Sequence, residues 1–174
     1  LFGTGDWNDG MNRVGRLGRG ESTWMGFFLV SIIDAFAPLC EARGESARAA
    51  RYRAHRERLA AALNEGGWDG GWYRRGYYDD GAPLGSRENR ECRIDALAQA
   101  WSVLSGVAPA ERAEAALDQV EAQLISDEDR LVRLLTPPFV DTPRDPGYIR
   151  GYVAGVRENG GQYTHAATWV VRAM

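Results

Sequence analysis

Apolar residues recur along this chain in blocks with helical spacing, separated by glycine- and aromatic-rich stretches that have none. The run WMGFFLVSIIDAFAPLC from Trp24, preceded by Glu21 and Ser22, predicts a helix reaching about Arg43. Its apolar residues surround the axis rather than forming a stripe, so burial on most sides is expected. Asp34 and Pro38 interrupt the run, which therefore reads as a core helix short of a membrane span. Gly44 ends it, and Ser46 can cap a second helix, SARAARYRAHRERLAAAL, with arginines on one face and alanines on the other. That helix belongs on the outside.

Between Trp68 and Gly81 paired glycines, clustered aromatics and an Asp-Gly pair predict a hairpin or a long ordered loop. Helical spacing returns at Ile94, Leu97, Ala98, Trp101 and Leu104. Pro109 then starts a helix carrying Ala113, Leu117, Val120 and Leu124. TPPFVDTPRDPGYIRGYVAG, from Thr136, cannot continue a helix, because its prolines remove donors and its glycines loosen the backbone. A last helix is expected from about Thr164. Helix pairs joined by long loops suggest an all-α fold, either a helical array or an α/α barrel whose loops build a site at one end, with a short β-hairpin. No tandem repeat of the solenoid kind is present.

The 174 residues suffice for one domain with a sizeable core. A net charge of -3, spread along the chain, argues against nucleic acid and against an anionic membrane surface as partners. Cys40 and Cys92 have neither a metal-ligand spacing nor a disulfide framework, and read as buried free thiols. No metal or organic cofactor is expected. The chain opens on LFGTGDWNDG and stops inside an apolar helical pattern, so it reads as an internal fragment, one domain truncated at both ends.

Two stretches carry candidate chemistry. In GDWNDG, Asp6 and Asp9 flank Trp7 and Asn8. An indole offers a sugar-stacking face and can partly desolvate a neighbouring carboxyl, which favours the protonated form a general acid needs. The plainer alternative is an Asx-turn in which both aspartates bond backbone N–H groups. An EF-hand start fails, because Gly10 and Met11 stand where a ligand and the turn glycine should follow. In RENGGQYTHAATW, paired glycines lead into a helix whose first turn holds His165. Free N–H groups there can hold an anion such as phosphate; the alternative is a capping threonine and a histidine packed on aromatics. His55 and the arginines from Arg48 to Arg58 read as a solvated face. Trp68, Trp72, Tyr73, Tyr77 and Tyr78 either line a saccharide groove or pack on the helices beneath.

Taken together, GDWNDGMN, WDGGWYRRGYYDDG, ECRIDALAQAW, RLLTPPF, DPGYIRGY and RENGGQYTHAATW resemble the glycoside hydrolase family 94 phosphorylases. The likeness is to the β-1,2-glucan branch and to the matching domain of cyclic β-1,2-glucan synthases. It implies an (α/α)6 barrel and inverting phosphorolysis, in which an acid protonates the glycosidic oxygen while phosphate attacks the anomeric carbon. Phosphate is a co-substrate and needs no general base, whereas an inverting hydrolase needs a second carboxylate to activate water. By position the resemblance makes Asp9 the acid, Trp7, Tyr152, Arg157 and Glu158 the sugar contacts, and His165 a phosphate ligand. Asp6 becomes a loop-shaping acceptor. Arg157 stands where disaccharide-specific relatives have lysine, which changes the contact available.

The resemblance further implies a β-glucan or oligosaccharide substrate, a cytoplasmic location (the cytoplasmic side of the inner membrane within a synthase), and it allows a homodimer. The family's upstream phosphate-binding arginines and downstream Thr-Gly segment have no positions in this chain, so the fragment alone is expected to be inactive and marginally folded. The alternatives are an inverting hydrolase with Glu158 as base, and a non-catalytic glucan-binding domain.

Overall fold

The structure is a computed structural model and describes residues 1–3 and 5–174. Helix α1, Thr23–Ala42, begins where Ser22 in extended conformation accepts a hydrogen bond from the Met25 amide at 3.2 Å. It ends in a Schellman arrangement: Gly44 adopts φ +78°, its N–H donates to the Glu41 carbonyl, and the Glu45 N–H donates to that of Cys40. Helix α2, Ser46–Gly66, packs antiparallel to α1, with Glu45 rather than Ser46 at the cap position and no side chain capping it. Ion pairs Arg53–Glu41 and Arg56–Asp34 bridge the two, and His55 is exposed, as a solvated outer face requires.

The expectation that α1 is buried on most sides is corrected. Trp24, Phe27, Val30, Ile33, Ala37 and Cys40 form a buried face, while Phe28, Leu29, Ile32, Phe36 and Leu39 stay open, Leu39 at 58% exposure. Nor does the apolar run fall short of a span: α1 is long and apolar enough to cross a membrane by length and composition. Pro38 lies inside the helix without ending it, and Asp34 is paired to Arg56. A helix that buries Phe27 and Val30 completely against its neighbours serves here as a core element.

Helix α3, Ala96–Leu104, is the centre of the fold and packs against α1, α4 (Ala110–Leu124) and α5 (Thr164–Ala173). It starts two residues later than the spacing from Ile94 predicts, because Asp95 is extended and caps it by accepting from the Leu97 amide at 2.8 Å. Ile94 and Asp95 form a two-residue strand paired antiparallel to Leu135–Thr136. Pro109 occupies the cap position of α4. Trp24, Ile94, Leu97, Val120, Leu124, Leu134 and Val170 close the main core between these elements.

The segment between α2 and α3 is pinned by polar groups. A three-stranded antiparallel sheet joins β1 (Glu21–Ser22), β2 (Gly76–Tyr77) and β3 (Pro83–Leu84), with β2 in the middle. The fully buried Gln99 accepts from the Tyr73 amide and donates to the Tyr73 carbonyl at 2.7 Å, which clamps this segment to α3. Trp72 donates its indole N–H to the Gly85 and Arg93 carbonyls, and the Tyr73 hydroxyl donates to Asn64 at 2.6 Å. Trp72, Tyr73 and Tyr78 are buried, so these aromatics are packing groups and not a saccharide groove.

Arg75, next to this sheet, is the largest fully buried side chain. It pairs with Asp6, donates to Ser22 Oγ at 3.0 Å, approaches Asp95 at 3.4 Å and lies 4.8 Å from the Phe2 ring centroid. Burial pushes the Asp95 carboxyl up to about 6, opposed by the Arg75 charge. Burial works against the charge on Arg75, and the two carboxylates more than offset it, so its proton is held more tightly than usual.

Removing one partner from a buried ionic cluster leaves charge without compensation, so Arg75→Met should destabilise by about 3–5 kcal/mol. Arg53→Ala, at an exposed pair, should leave stability nearly unchanged, both read from denaturant unfolding. Because the folded-state pKa of Asp95 is raised, its contribution to stability is full at acidic pH and is lost as pH rises through about 6. Asp95→Asn, which keeps an N-capping oxygen, should flatten the dependence of unfolding free energy on pH between about 4 and 6.

Candidate functional site

Asp6 and Asp9, alike in the sequence, occupy opposite environments. Asp6 is 4% exposed; one oxygen accepts from the Asn8 amide at 3.0 Å in an Asx-turn, and the other accepts from the Ser22 hydroxyl at 2.5 Å. With Arg75 behind it, this carboxylate fixes the turn. Asp9 opens a 3-10 turn, Asp9–Met11, and is exposed. The expected partial desolvation of this acid by the indole is not seen, because Asp9 is exposed; the polar atom of Trp7 has another partner.

That atom reaches across 158 residues of sequence: Trp7 Nε1 donates to His165 Nδ1 at 3.1 Å. Around it, Tyr163 meets the Trp7 ring edge-on at 5.1 Å between centroids, and Trp169 lies 5.8 Å from Trp7 and 4.3 Å from His165. His165 is exposed and sits in the first turn of α5. Tyr163, not a threonine, holds the cap position, and no side chain caps this end. An indole N–H can only donate, so Nδ1 is the acceptor and the neutral ring carries its proton on Nε2, available to an anion at the helix N-terminus.

A second set lies on the loop from Gly147 to Gly161. A 3-10 turn, Tyr148–Gly151, packs against Asp9–Met11. The Tyr148 phenol is pushed up to about 12, first by desolvation, then by hydrogen bonding and charge from Asp9, with Tyr152 and Glu158 adding. Arg157, in the left-handed region at φ +52°, places its guanidinium 4.6 Å from the Tyr152 ring centroid and its Nε 3.4 Å from Glu158. Glu158 is 8% exposed, and its Oε2 has no hydrogen-bond partner among the described residues.

Two residues that sequence reasoning missed hold these groups in place. Asn159, fully buried, accepts from the Phe139 amide and donates to the Phe139 and Tyr152 carbonyls, fixing the turn that presents Arg157 and Glu158. An asparagine before paired glycines was the available signal. Arg75 was hidden among the aromatics of WYRRGYY, where a cation reads as solvated. Of the expected set, the structure links Trp7 directly to His165, and Arg157 to Tyr152 and Glu158, while Asp9 lies two residues from Trp7 on a 3-10 turn that packs against the turn Tyr148–Gly151. Among the described residues no cluster of histidine, cysteine or carboxylate side chains is suited to a metal ion.

The surface therefore offers an exposed carboxyl, an imidazole donor at a helix N-terminus, an indole wall, and a buried carboxylate paired with an arginine. Proton donation at one point and anion binding at another are both within its chemical means.

Over residues 1–174 the chain matches the glycosyl hydrolase 94 superfamily, catalytic domain. It is 59% identical over 97% of its length to the cyclic beta-(1,2)-glucan synthase NdvB of Rhizobium meliloti, covering 6% of that protein. It is 44% identical, over 96% of its length, to the 3-O-beta-D-glucopyranosyl-beta-D-glucuronide phosphorylase of Paenibacillus borealis, and 34% identical, over 98%, to the cellobionic acid phosphorylase of Neurospora crassa. It spans 21% of each of those two phosphorylases. With the match running from its first residue to its last, this chain belongs to the glycosyl hydrolase 94 superfamily and to its catalytic domain.

Proposed function

We propose that the chain is part of an (α/α)6-barrel domain that carries out inverting phosphorolysis of β-glucosidic linkages, with β-1,2-glucan as substrate and α-glucose 1-phosphate as product. In this reading Asp9 donates a proton to the glycosidic oxygen as the C1–O bond breaks. Phosphate, held by His165 and the N-terminus of α5, supplies the oxygen that attacks C1 from the opposite face. Trp7 forms the sugar-facing wall, and Tyr152, Arg157 and Glu158 contact the leaving sugar. In a synthase the same reaction would trim the glucan chain.

One observation carries the reading: the Trp7–His165 hydrogen bond, which ties the loop bearing the exposed Asp9 to an uncapped helix N-terminus. An anion held there needs no general base to become a nucleophile, so a single acid suffices. A phosphorylase also draws support from the two relatives bearing that name.

In the full-length protein, Asp9→Asn should lower glucose 1-phosphate formation from β-1,2-glucooligosaccharides and phosphate by roughly 10²–10⁴-fold. Sugar release that does not depend on phosphate would replace this reading with hydrolysis, and binding without turnover would replace it with a glucan-binding role. His165→Ala should raise the KM for phosphate roughly tenfold while changing that for the glucan much less, because the imidazole is assigned to the anion and reaches the sugar only through Trp7. Steady-state kinetics with each substrate varied in turn separates the two constants.

A further inference from the structure

Beside the acid loop lies a cavity of about 370 Å³ that the reaction proposed above does not use. Asn12 and Arg13, on the segment that follows Asp9, form one wall, and Asp145, Tyr148 and Arg150, around the second 3-10 turn, form the other. The two walls are pinned together. Gly10 faces Ile149 so closely that a Cβ on Gly10 would lie 3.0 Å from that of Ile149. Gly147, at φ +123°, is tighter still: a Cβ there would come within 2.5 Å of the Gly10 carbonyl and 2.2 Å of Asn12 Oδ1. Asn12 Oδ1 accepts from the Tyr148 amide at 3.3 Å, and the Arg13 amide donates to the Pro146 carbonyl at 3.2 Å. Backbones that meet this closely give the cavity its shape before anything binds.

Its lining is mixed. Tyr148, 46% exposed, offers an aromatic face. Arg13 and Arg150 offer planar forks of N–H donors. Asp145 is a carboxylate held in place by the Gly147 amide at 2.9 Å and by its ion pair with Arg13. A pyranose ring is matched by this set, because its C–H face packs on an aromatic ring and its neighbouring hydroxyls donate to a carboxylate and accept from a guanidinium. An anion would meet the charge of Asp145, and an apolar segment would strip water from two guanidinium groups without replacing it. The position also fits. Asn12 is three residues past Asp9, and successive Cα atoms are about 3.8 Å apart, so this wall begins within about 11 Å of the Asp9 backbone, close enough for one saccharide to touch both. On the near side the Tyr148 ring meets the Tyr152 ring edge-on at 6.1 Å between centroids.

Resting on the phosphorolysis proposed above, we infer that this cavity is a further saccharide subsite, which holds the sugar residue next in line after the leaving sugar of a β-glucan chain. Glucose 1-phosphate as product places a single glucosyl unit on the phosphate side of the broken bond. A longer chain therefore extends only on the leaving side, past Tyr152 and onto Tyr148. There the Tyr148 ring is the platform, and Arg13, Asp145 and Arg150 bind hydroxyls. The site is built for trisaccharides and longer chains rather than for disaccharides.

In the full-length protein, a β-1,2-linked glucose trisaccharide should be phosphorolysed with a kcat/KM roughly tenfold or more above that of the disaccharide. Tyr148→Ala and Arg150→Ala, both at exposed positions, should each lower kcat/KM for the trisaccharide about tenfold while that for the disaccharide moves much less. Tyr148→Phe keeps the ring and should keep the preference. Arg150→Ala, a change confined to the surface, carries the test alone if thermal unfolding shows that Tyr148→Ala disturbs the fold.

Equal turnover of the two sugars by the unmodified protein, or a trisaccharide preference that Arg150→Ala retains, overturns the subsite and leaves the phosphorolysis in place. An equal loss on both sugars overturns it as well, since it makes these residues supports of the acid loop. No glucose 1-phosphate from either sugar defeats the phosphorolysis and the subsite with it.

Discussion

Arg75 joins three separate parts of the chain at one buried guanidinium. Its guanidinium meets Asp6 from the N-terminal loop, Ser22 at the start of α1, and Asp95 at the cap of α3, and it lies over Phe2. Burying one cation and two carboxylates is costly, and the cost is recovered only when all the partners are in place. The cluster is therefore all-or-none. When it forms, the turn that presents Trp7 and Asp9 has one shape, because Asp6 is occupied on both oxygens. Asp9 itself faces water, between the buried Asn8 and Met11.

From this anchor the site is assembled by two long-range contacts of different kinds. The Trp7–His165 hydrogen bond is directional and sets which imidazole nitrogen is free. The docking of the two 3-10 turns is steric, dictated by how near Gly10 and Gly147 let the backbones come. A directional bond and a close backbone approach leave Asp9 little freedom, although most of its surface is open. The open apolar face of α1 is the counterpart elsewhere in the chain: Phe28, Ile32, Phe36 and Leu39 have the composition of a core and the exposure of a surface.

The sequence made the helices legible because their signals are local. Spacing, Ser22 before the first turn and Gly44 after the last are all readable within about one turn of the residue concerned. Where a local signal competed with a distant partner, it failed. Ile94 and Asp95 scan as helix but are extended, since Leu135 and Thr136 pair with them from forty residues away. Trp72 and Tyr73 scan as either groove or packing aromatics, and the structure decides for packing, since Gly85, Arg93 and Asn64 accept their hydrogen bonds from within.

The acidic pair shows where that boundary lies. Residue types and order within GDWNDG, and its company with RENGGQYTH, were enough to indicate a family, because such motifs carry chemistry in a fixed order. They could not say which aspartate is buried, which residue receives the Trp7 indole N–H, or that Arg75 pairs with Asp6. Those assignments depend on desolvation and on hydrogen-bond partners up to 158 residues apart, and such quantities exist only once the chain has closed on itself.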